Sequence, residues 1–405
     1  MVTEIVGQIL VLGGLTIAGL LLNRFLRLEL TLACLLVGFS AGLCLPFFDF
    51  DTGIRAFNLQ EIVFFVILPV LIFESAWHLN PALLKAWVVP VLLLATVGVL
   101  IGAFVTAGLV FFGIGHPQGF PWIAALLTGA ILSATDPIAV MSQLRASNAP
   151  EDLAALFEGE SLFNDASGVV LFTIVVAIAT QMGDSNESSY LGFFAMVFAG
   201  GIVFGLVSGL LAAGIALLIG SSVASRFILV FSAFASFYVA EHVLHVSGIM
   251  AVMMTALTTK ILLKDVENTV GQGIADTWEW LGLFLNSLLF VLMGLVITLE
   301  MFQERWLAML IAIAAMLMAR VLSVSGVCTV SRLFGKPVPG GWQVLLVWGG
   351  LRGAVAIALV LSLPTSLPYW WTIQSMVFGV VVFSLLVQGT TNKYLVRRVL
   401  ADTKA

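Results

Sequence analysis

Residues 157–180 are predicted to form a helix that opens with the polar sequence FEGESLFNDASG and continues as an apolar run. In a helix, residues four positions apart lie on one face, which pairs Glu160 with Asn164 and Ser161 with Asp165. One side of the helix then carries carboxylate, hydroxyl and amide oxygens, which can bind a cation or a proton. Because a charged side chain in a membrane is costly, two carboxylates on such a helix indicate an ion pathway more often than an accident of packing.

A second polar motif, Ala134-Thr135-Asp136-Pro137, interrupts another apolar segment. Proline lacks an N–H donor and disfavours the helical conformation of the residue before it, so this helix is predicted to break at Asp136. Thr135 and Asp136 would then supply oxygen ligands beside carbonyls freed by the break, and hard cations prefer all-oxygen sites. Capping of the broken helix is the other role open to Asp136, and the two roles are compatible.

The composition is that of a polytopic membrane protein and excludes a globular enzyme. Hydrophobic residues make up 61% of the chain, charged residues make up 10%, and the mean hydropathy is +1.13. Apolar runs of bilayer length recur throughout. They predict thirteen spans, at residues 6–22, 30–48, 61–79, 88–112, 122–144, 157–180, 190–219, 222–243, 247–263, 278–298, 306–330, 342–362 and 369–390.

Positive charge is sorted between alternate loops. Thirteen lysine and arginine residues fall in one set of loops, and only Arg55 and Arg305 fall in the other. The positive-inside rule then predicts an amino terminus outside the cell and a carboxyl terminus in the cytoplasm. With the glycine-rich segment 192–220 as a linker, the six spans on either side are antiparallel, which is the layout of inverted-repeat transporters.

The fifth span of each half contains helix breakers. They are Gly129 and Asp136-Pro137 in the first half and Gly349-Gly350-Leu351-Arg352-Gly353 in the second. Interrupted spans at matching positions in two halves indicate a binding site near the middle of the membrane, where the ends of half-helices face the ion.

The ATDP and GESLFNDASG motifs together resemble the signature helices of sodium/proton antiporters of the NhaP/NHE branch, within the monovalent cation/proton antiporter superfamily. This branch carries Asn-Asp where another carries Asp-Asp, and the resemblance runs over nearly the whole chain. It implies the NhaA-like antiporter fold, an all-α membrane protein with six-helix inverted repeats, crossed broken helices and a homodimeric assembly. The implied divisions are an interface domain (1–85 and 221–300), a core ion-transport domain (86–181 and 301–392), a linker helix (182–220) and a short cytoplasmic tail (393–405).

Six charged residues lie well inside the predicted spans: Glu74, Asp136, Glu160, Asp165, Arg320 and Arg352. The excess of acids suits a cation. Asp165, one turn after Ser161, is the predicted site at which cation and proton compete, with Thr135 and Asp136 as further ligands. Asn164 is predicted to hydrogen-bond nearby backbone and to tune Asp165 without carrying charge.

The other charged residues are assigned supporting roles. The family resemblance implies a salt bridge between Glu160 and Arg320, and this structural role is favoured over direct binding of the ion by Glu160. It also implies that Glu74 is a ligand or gate at the site, with solvation at the cytoplasmic end of its span as the alternative. Arg352 is predicted to neutralise helix ends exposed by the break. Asn286 is predicted to form an interhelical hydrogen bond.

These residues together with the family resemblance predict a secondary antiporter that exchanges sodium or lithium for protons by alternating access, one cation per proton. A potassium/proton antiporter of the same fold is the alternative. The expected partners are monovalent cations, protons, the lipid bilayer and a second copy of the chain. Neither a cofactor nor nucleic acid is expected, since the sequence contains no phosphate-binding loop and no basic patch. The short segment after the last predicted span favours a prokaryotic plasma membrane.

Two other classes of protein also place acidic residues inside membrane spans. An intramembrane aspartyl protease would use Asp136 and Asp165 as a dyad that shares a proton. The Gly-x-Gly-Asp sequence expected of such a protease is missing, and the inverted symmetry argues against it. A cation channel would need a pore lined by rings of acids or carbonyls.

Overall fold

The structure is a computed structural model. It describes residues 2–44, 61–115, 119–180, 190–264 and 273–402. Arg55, Lys404 and residues 45–48 of the second predicted span lie outside the described residues. Within the described ranges the chain is helical apart from short connections.

Seventeen α-helices occur in the described part of the chain. They are α1 (Val2–Leu26), α2 (Leu30–Cys44), α3 (Leu68–His78), α4 (Pro81–Leu93), α5 (Val99–Gly113), α6 (Trp122–Ile131), α7 (Ile138–Ala146), α8 (Glu151–Ala179), α9 (Tyr190–Ile219), α10 (Ser222–Tyr238), α11 (Gly248–Leu263), α12 (Ile274–Val296), α13 (Leu299–Leu333), α14 (Gly340–Trp348), α15 (Ala354–Leu361), α16 (Trp370–Phe383) and α17 (Thr390–Asp402). Short π-helical turns lead into α3, join α4 to α5, extend α10 and join α16 to α17. Residues 393–402 of the predicted tail are thus helical.

The predicted spans coincide with helices, but several helices begin earlier than predicted, and α4, α8 and α13 do so by six or seven residues. α8 begins at Glu151 instead of residue 157, with Pro150 as its N-cap residue. α4 begins at Pro81 instead of residue 88. Hydropathy detects only the apolar part of a helix. The helix itself begins at a capping or proline position, which hydropathy does not detect. The polar motif of α8 therefore lies within the helix and does not open it.

Gly129 is not a helix breaker, contrary to the prediction. α6 continues through Gly129 to Ile131. A Cβ atom at this position would lie 2.1 Å from the carbonyl oxygen of Ala103 on α5. Gly129 therefore allows two helices to pack closely, and only Asp136-Pro137 interrupts this span.

The helices have the length and hydropathy of a membrane domain. Eight helical segments in the described ranges are long and apolar enough to cross a membrane, when helices joined or extended by π-helical turns count as one segment, and shorter apolar helices accompany them. Large apolar side chains remain exposed on the outer faces, such as Leu10 on α1 (69%) and Leu218 on α9 (88%). Such surfaces suit a lipid environment. The count of thirteen spans stays a prediction.

The helices pack in two sets. α1, α2, α3, α10, α11 and α12 contact mainly one another, as do α4 to α8 together with α13 to α17. α9 packs closely along α11. A Cβ on Gly201 would lie 2.5 Å from Ser247 O, and a Cβ on Gly205 would lie 2.4 Å from Ala251 O. The roles of the two sets as interface and moving core stay predictions.

Candidate ion-binding site

The two broken helices cross where their backbones leave the helical conformation. Residues 132–137 separate α6 from α7, and residues 349–353 separate α14 from α15. The backbone N–H of Asp136 donates a hydrogen bond of 2.8 Å to Leu351 O, within an isolated antiparallel bridge. Both predicted breaks are therefore present, and they meet.

Arg352 satisfies carbonyl groups that the first break leaves without helical partners. Its Nη1 atom donates to Ser133 O at 3.1 Å and to Ala134 O at 2.7 Å. The residue is buried, with 4% of its surface exposed. Carbonyls at a helix end inside a membrane need such a donor. The contacts of Arg352 are therefore those expected of a group that neutralises the helix ends at the break.

Asp136 caps the amino termini of the two helices that follow the breaks, α7 and α15. Its Oδ1 atom accepts from Ile138 N at 3.0 Å, at the start of α7, and its Oδ2 atom accepts from Ala354 N at 3.4 Å, at the start of α15. A Cβ on Gly353 would lie 1.9 Å from Oδ2, so the carboxylate fits only against a residue without a side chain. A negative group at two helix amino termini is favoured by both helix dipoles.

The polar face of α8 fixes Thr135 at the break. The hydroxyl of Ser161 donates to Thr135 O. Asn164 Nδ2 donates to Thr135 Oγ1 at 2.6 Å, and Thr135 N donates to Asn164 Oδ1 at 3.2 Å. The side chain of Asn164 thus bonds to the backbone of Thr135 at the break, and its tuning of Asp165 stays a prediction. These three residues are buried and hold α8 in one register against the crossing.

Glu160 and Arg320 form a bidentate ion pair. The Nη1–Oε1 distance is 2.5 Å and the Nη2–Oε2 distance is 2.8 Å. Only 1% of Glu160 and 7% of Arg320 is exposed. Arg320 Nε also donates to Leu346 O on α14, and Asn164 Nδ2 lies 3.4 Å from Glu160 Oε1. The pair expected from the family resemblance is therefore present, and it joins α8 to α13.

Asp165 lines a small inner cavity with Thr135, Asp136 and Ser161. The cavity volume is about 40 Å³. In the described part of the chain, the Asp165 carboxylate has no hydrogen-bond donor. A cavity of this size has room for an ion or a few water molecules but not for a peptide segment, which removes the geometric basis for a protease dyad.

The charges around the crossing leave one negative charge uncompensated. The groups are the carboxylates of Asp136, Glu160 and Asp165 and the guanidinium groups of Arg320 and Arg352, all on elements that meet at the crossing. With every group ionised, three negative charges face two positive ones. One proton or one monovalent cation would balance the difference.

An outer cavity of about 460 Å³ adjoins the inner one, since both are lined by Leu71, Ser75 and Glu158. Glu74 lines this outer cavity and not the inner one, and its Oε1 atom lies 3.3 Å from His78 Nδ1. The structure thus places Glu74 on the approach to Asp165, in a different cavity. Glu158 also lies here, 3.1 Å from Arg145.

Sequence reasoning missed several residues of the outer cavity. Glu158 belongs to the FEGES motif but was passed over because it lies near a predicted span end. Glu29 lies just before α2 and showed no signal for the same reason. Asn286 lines the cavity too, and its Oδ1 atom has no hydrogen-bond partner among the described residues, so the interhelical bond predicted for it is missing at that atom.

Crossed broken helices that hold carboxylates at a small cavity, within a bundle of apolar helices of membrane length, define a secondary ion transporter. The comparison with known families agrees. The family model for the transmembrane part of sodium/hydrogen exchangers matches residues 12–398. The chain belongs to the sodium/hydrogen exchanger family.

Individual relatives support the same assignment. The chain is 36% identical to the Na⁺/H⁺ antiporter NhaP of Pseudomonas aeruginosa, over 86% of this chain and 83% of that protein. It is 35% identical to the Na⁺/H⁺ antiporter ApNhaP of Aphanothece halophytica, over 88% of this chain and 68% of that protein. Its fold is similar to that of the sodium proton antiporter MjNhaP1 of Methanocaldococcus jannaschii, with a TM-score of 0.80 at 22% identity, covering 96% and 100% of the two chains. The predicted family and fold are confirmed.

Proposed function

We propose that this protein is a secondary transporter, and not an enzyme, that exchanges sodium or lithium for protons. Cation and proton bind in turn at Asp165, and alternating access carries each across the membrane. The oxygens of Thr135, Asp136 and Ser161 line the same cavity and are the further ligands in this proposal. No cofactor takes part.

The observation that carries this proposal is the single uncompensated negative charge at the crossing. Glu160 and Arg352 are held by partners, and both oxygens of Asp136 accept backbone hydrogen bonds. Of the three carboxylates at the crossing, Asp165 alone lacks a hydrogen-bond donor among the described residues. One carboxylate that can take up either a proton or a cation is the requirement for exchange at a shared site.

The alternative functions have less support. The named relatives are sodium/proton antiporters, so exchange of potassium is not favoured. A channel would need a continuous pore, whereas the inner cavity has a volume of about 40 Å³ and Arg352 is packed against the carbonyls of the break.

The outer cavity is assigned to the cytoplasmic side. It is lined by Asn23, Glu29 and Arg145, which lie in or beside loops that the positive-inside rule places there. In this orientation the structure is inward-facing, the amino terminus is outside, and the membrane is a prokaryotic plasma membrane. The protein acts as a homodimer in which the set containing α1 and α12 forms the interface and the set containing α8 moves.

Purified protein in sealed proteoliposomes is expected to take up sodium when an outward proton gradient is imposed. Uptake is measured with radioactive sodium and, in parallel, by a pH-sensitive dye with sodium, lithium or potassium chloride outside. Sodium and lithium should each move protons, and potassium should do so much less. Protein-free liposomes are the control. Proton movement with potassium alone would overturn the sodium assignment.

Exchange is expected to be electroneutral. Because Asp165 carries one proton in one direction and one monovalent cation in the other, the moving set has the same net charge each way. An uncompensated charge would gain or lose ~2.3 kcal/mol per 100 mV of membrane potential. Sodium uptake should therefore follow a pH gradient and be unaffected by a potassium–valinomycin potential. Uptake driven by the potential alone would show that a second group, such as Asp136 or Glu74, also exchanges a proton.

A further inference from the structure

Three buried oxygen atoms without hydrogen-bond partners among the described residues line the outer cavity. They are Glu29 Oε2, Thr31 Oγ1 and Asn286 Oδ1. Thr31 and Asn286 are almost fully buried, with 6% and 7% of their surfaces exposed. The atoms come from the α1–α2 connection, the first turn of α2 and the middle of α12, and α2 and α12 pack directly on each other.

Such groups are costly unless something binds them. A buried acceptor without a partner costs ~1–3 kcal/mol, and more if it is charged. An ionised carboxylate and an amide oxygen can only accept, so they cannot satisfy each other. The missing partner must therefore supply hydrogen-bond donors or positive charge.

The negative charge of an ionised Glu29 carboxylate favours positive charge as the missing partner. A Cβ on Gly389, in the turn between α16 and α17, would lie 3.0 Å from Glu29 Oε2, so this oxygen lies against a helix of the other packing set. One carboxylate, one hydroxyl and one amide oxygen form an all-oxygen donor set, which suits a hard cation of single charge.

We propose that Glu29, Thr31 and Asn286 form a second cation site, which holds a partly hydrated sodium ion in the outer cavity on its way to Asp165. The outer cavity adjoins the inner one, because several residues line both cavities. This proposal takes its ion from the proposed function, but binding at the outer site does not require exchange.

The binding test uses protein that carries Asp165→Asn, so that the inner site is disabled. Its melting temperature in detergent is measured in sodium chloride and in choline chloride at equal concentration, because a ligand that binds only the folded state raises that temperature. Sodium is expected to raise the melting temperature above the choline value, and the additional change Glu29→Gln is expected to remove the difference. The change at position 165 should leave the outer oxygens in place, because they do not belong to α8.

The matched control is Glu279→Gln in the same background. Glu279 lines the same cavity and has the same carboxyl group, but it is exposed. It should leave the sodium-specific rise intact. Three results would overturn the outer site. The sodium-specific rise could be absent in Asp165→Asn protein, it could survive Glu29→Gln, or it could be lost equally with Glu279→Gln.

A transport measurement tests the same site in protein with Asp165 intact. Glu29→Gln is expected to raise the KM for sodium severalfold and to lower kcat much less, because it weakens capture of the ion and leaves the inner site unchanged. An unchanged KM would count against the outer site. The two proposals fail separately, since sodium-specific stabilisation without any exchange in the wild-type protein would refute antiport and leave the outer site standing.

Discussion

Asp165→Asn is expected to abolish sodium/proton exchange while the protein remains folded. The amide is close in shape to the carboxylate but can neither take up a proton nor supply a negative charge to a cation. A unit charge at 4 Å contributes ~4 kcal/mol at an effective dielectric constant of about 20, which corresponds to a loss of cation affinity of roughly a thousandfold. Exchange in proteoliposomes should fall to the level of protein-free vesicles. The size-exclusion profile should match that of the wild type.

Asp152→Asn is the matched control. Asp152 lies on the same helix, α8, and its Oδ1 atom accepts a hydrogen bond of 2.6 Å from Trp87 Nε1. Asparagine can keep that bond, and Asp152 does not line the inner cavity. This variant should exchange sodium at the wild-type rate. Retained exchange in Asp165→Asn protein, or equal loss in both variants, would refute the assignment of Asp165.

The sequence was sufficient to locate the break and the polar face of α8. Proline at position 137 determines the first interruption, because the covalent ring removes a donor whatever the surroundings. The spacing of Ser161, Asn164 and Asp165 likewise gives one helix face without knowledge of the fold. Both features depend on local chemistry, and both are present in the structure.

Contacts between the two halves of the chain were beyond sequence reasoning. The capping of α15 by Asp136 exists only because the two breaks cross, and no local pattern specifies which residues meet there. Gly129 was misassigned for the related reason that glycine serves both to interrupt a helix and to admit a neighbouring one. The cavity that contains Glu74 and Glu29 is defined by helices distant in sequence, so only the fold could separate it from the inner site.

Removal of either partner of the Glu160–Arg320 pair is expected to destabilise the protein. Each alanine change leaves the other charge buried and unpaired, which costs ~3–5 kcal/mol. The double change Glu160→Arg with Arg320→Glu should recover part of this loss. Recovery should be partial, because the hydrogen bond from Arg320 Nε to Leu346 O and the contact of Asn164 with Glu160 both depend on the original arrangement. Melting temperature in detergent and yield of monodisperse protein are the measurements.

The Arg145–Glu158 pair is the comparison for stability, because it joins the same helix, α8, to an arginine on α7. The arginine side chain of this pair is 59% exposed and the glutamate side chain is 12% exposed, so solvent screens the interaction, and Arg145→Ala should destabilise the protein much less than Arg320→Ala. The melting temperatures are expected to follow a rank order: Arg320→Ala melts far below wild type, the charge swap melts between Arg320→Ala and wild type, and Arg145→Ala melts closest to wild type. If Arg320→Ala melts like Arg145→Ala, water must reach Glu160, and a carboxylate in contact with water could bind the transported ion itself.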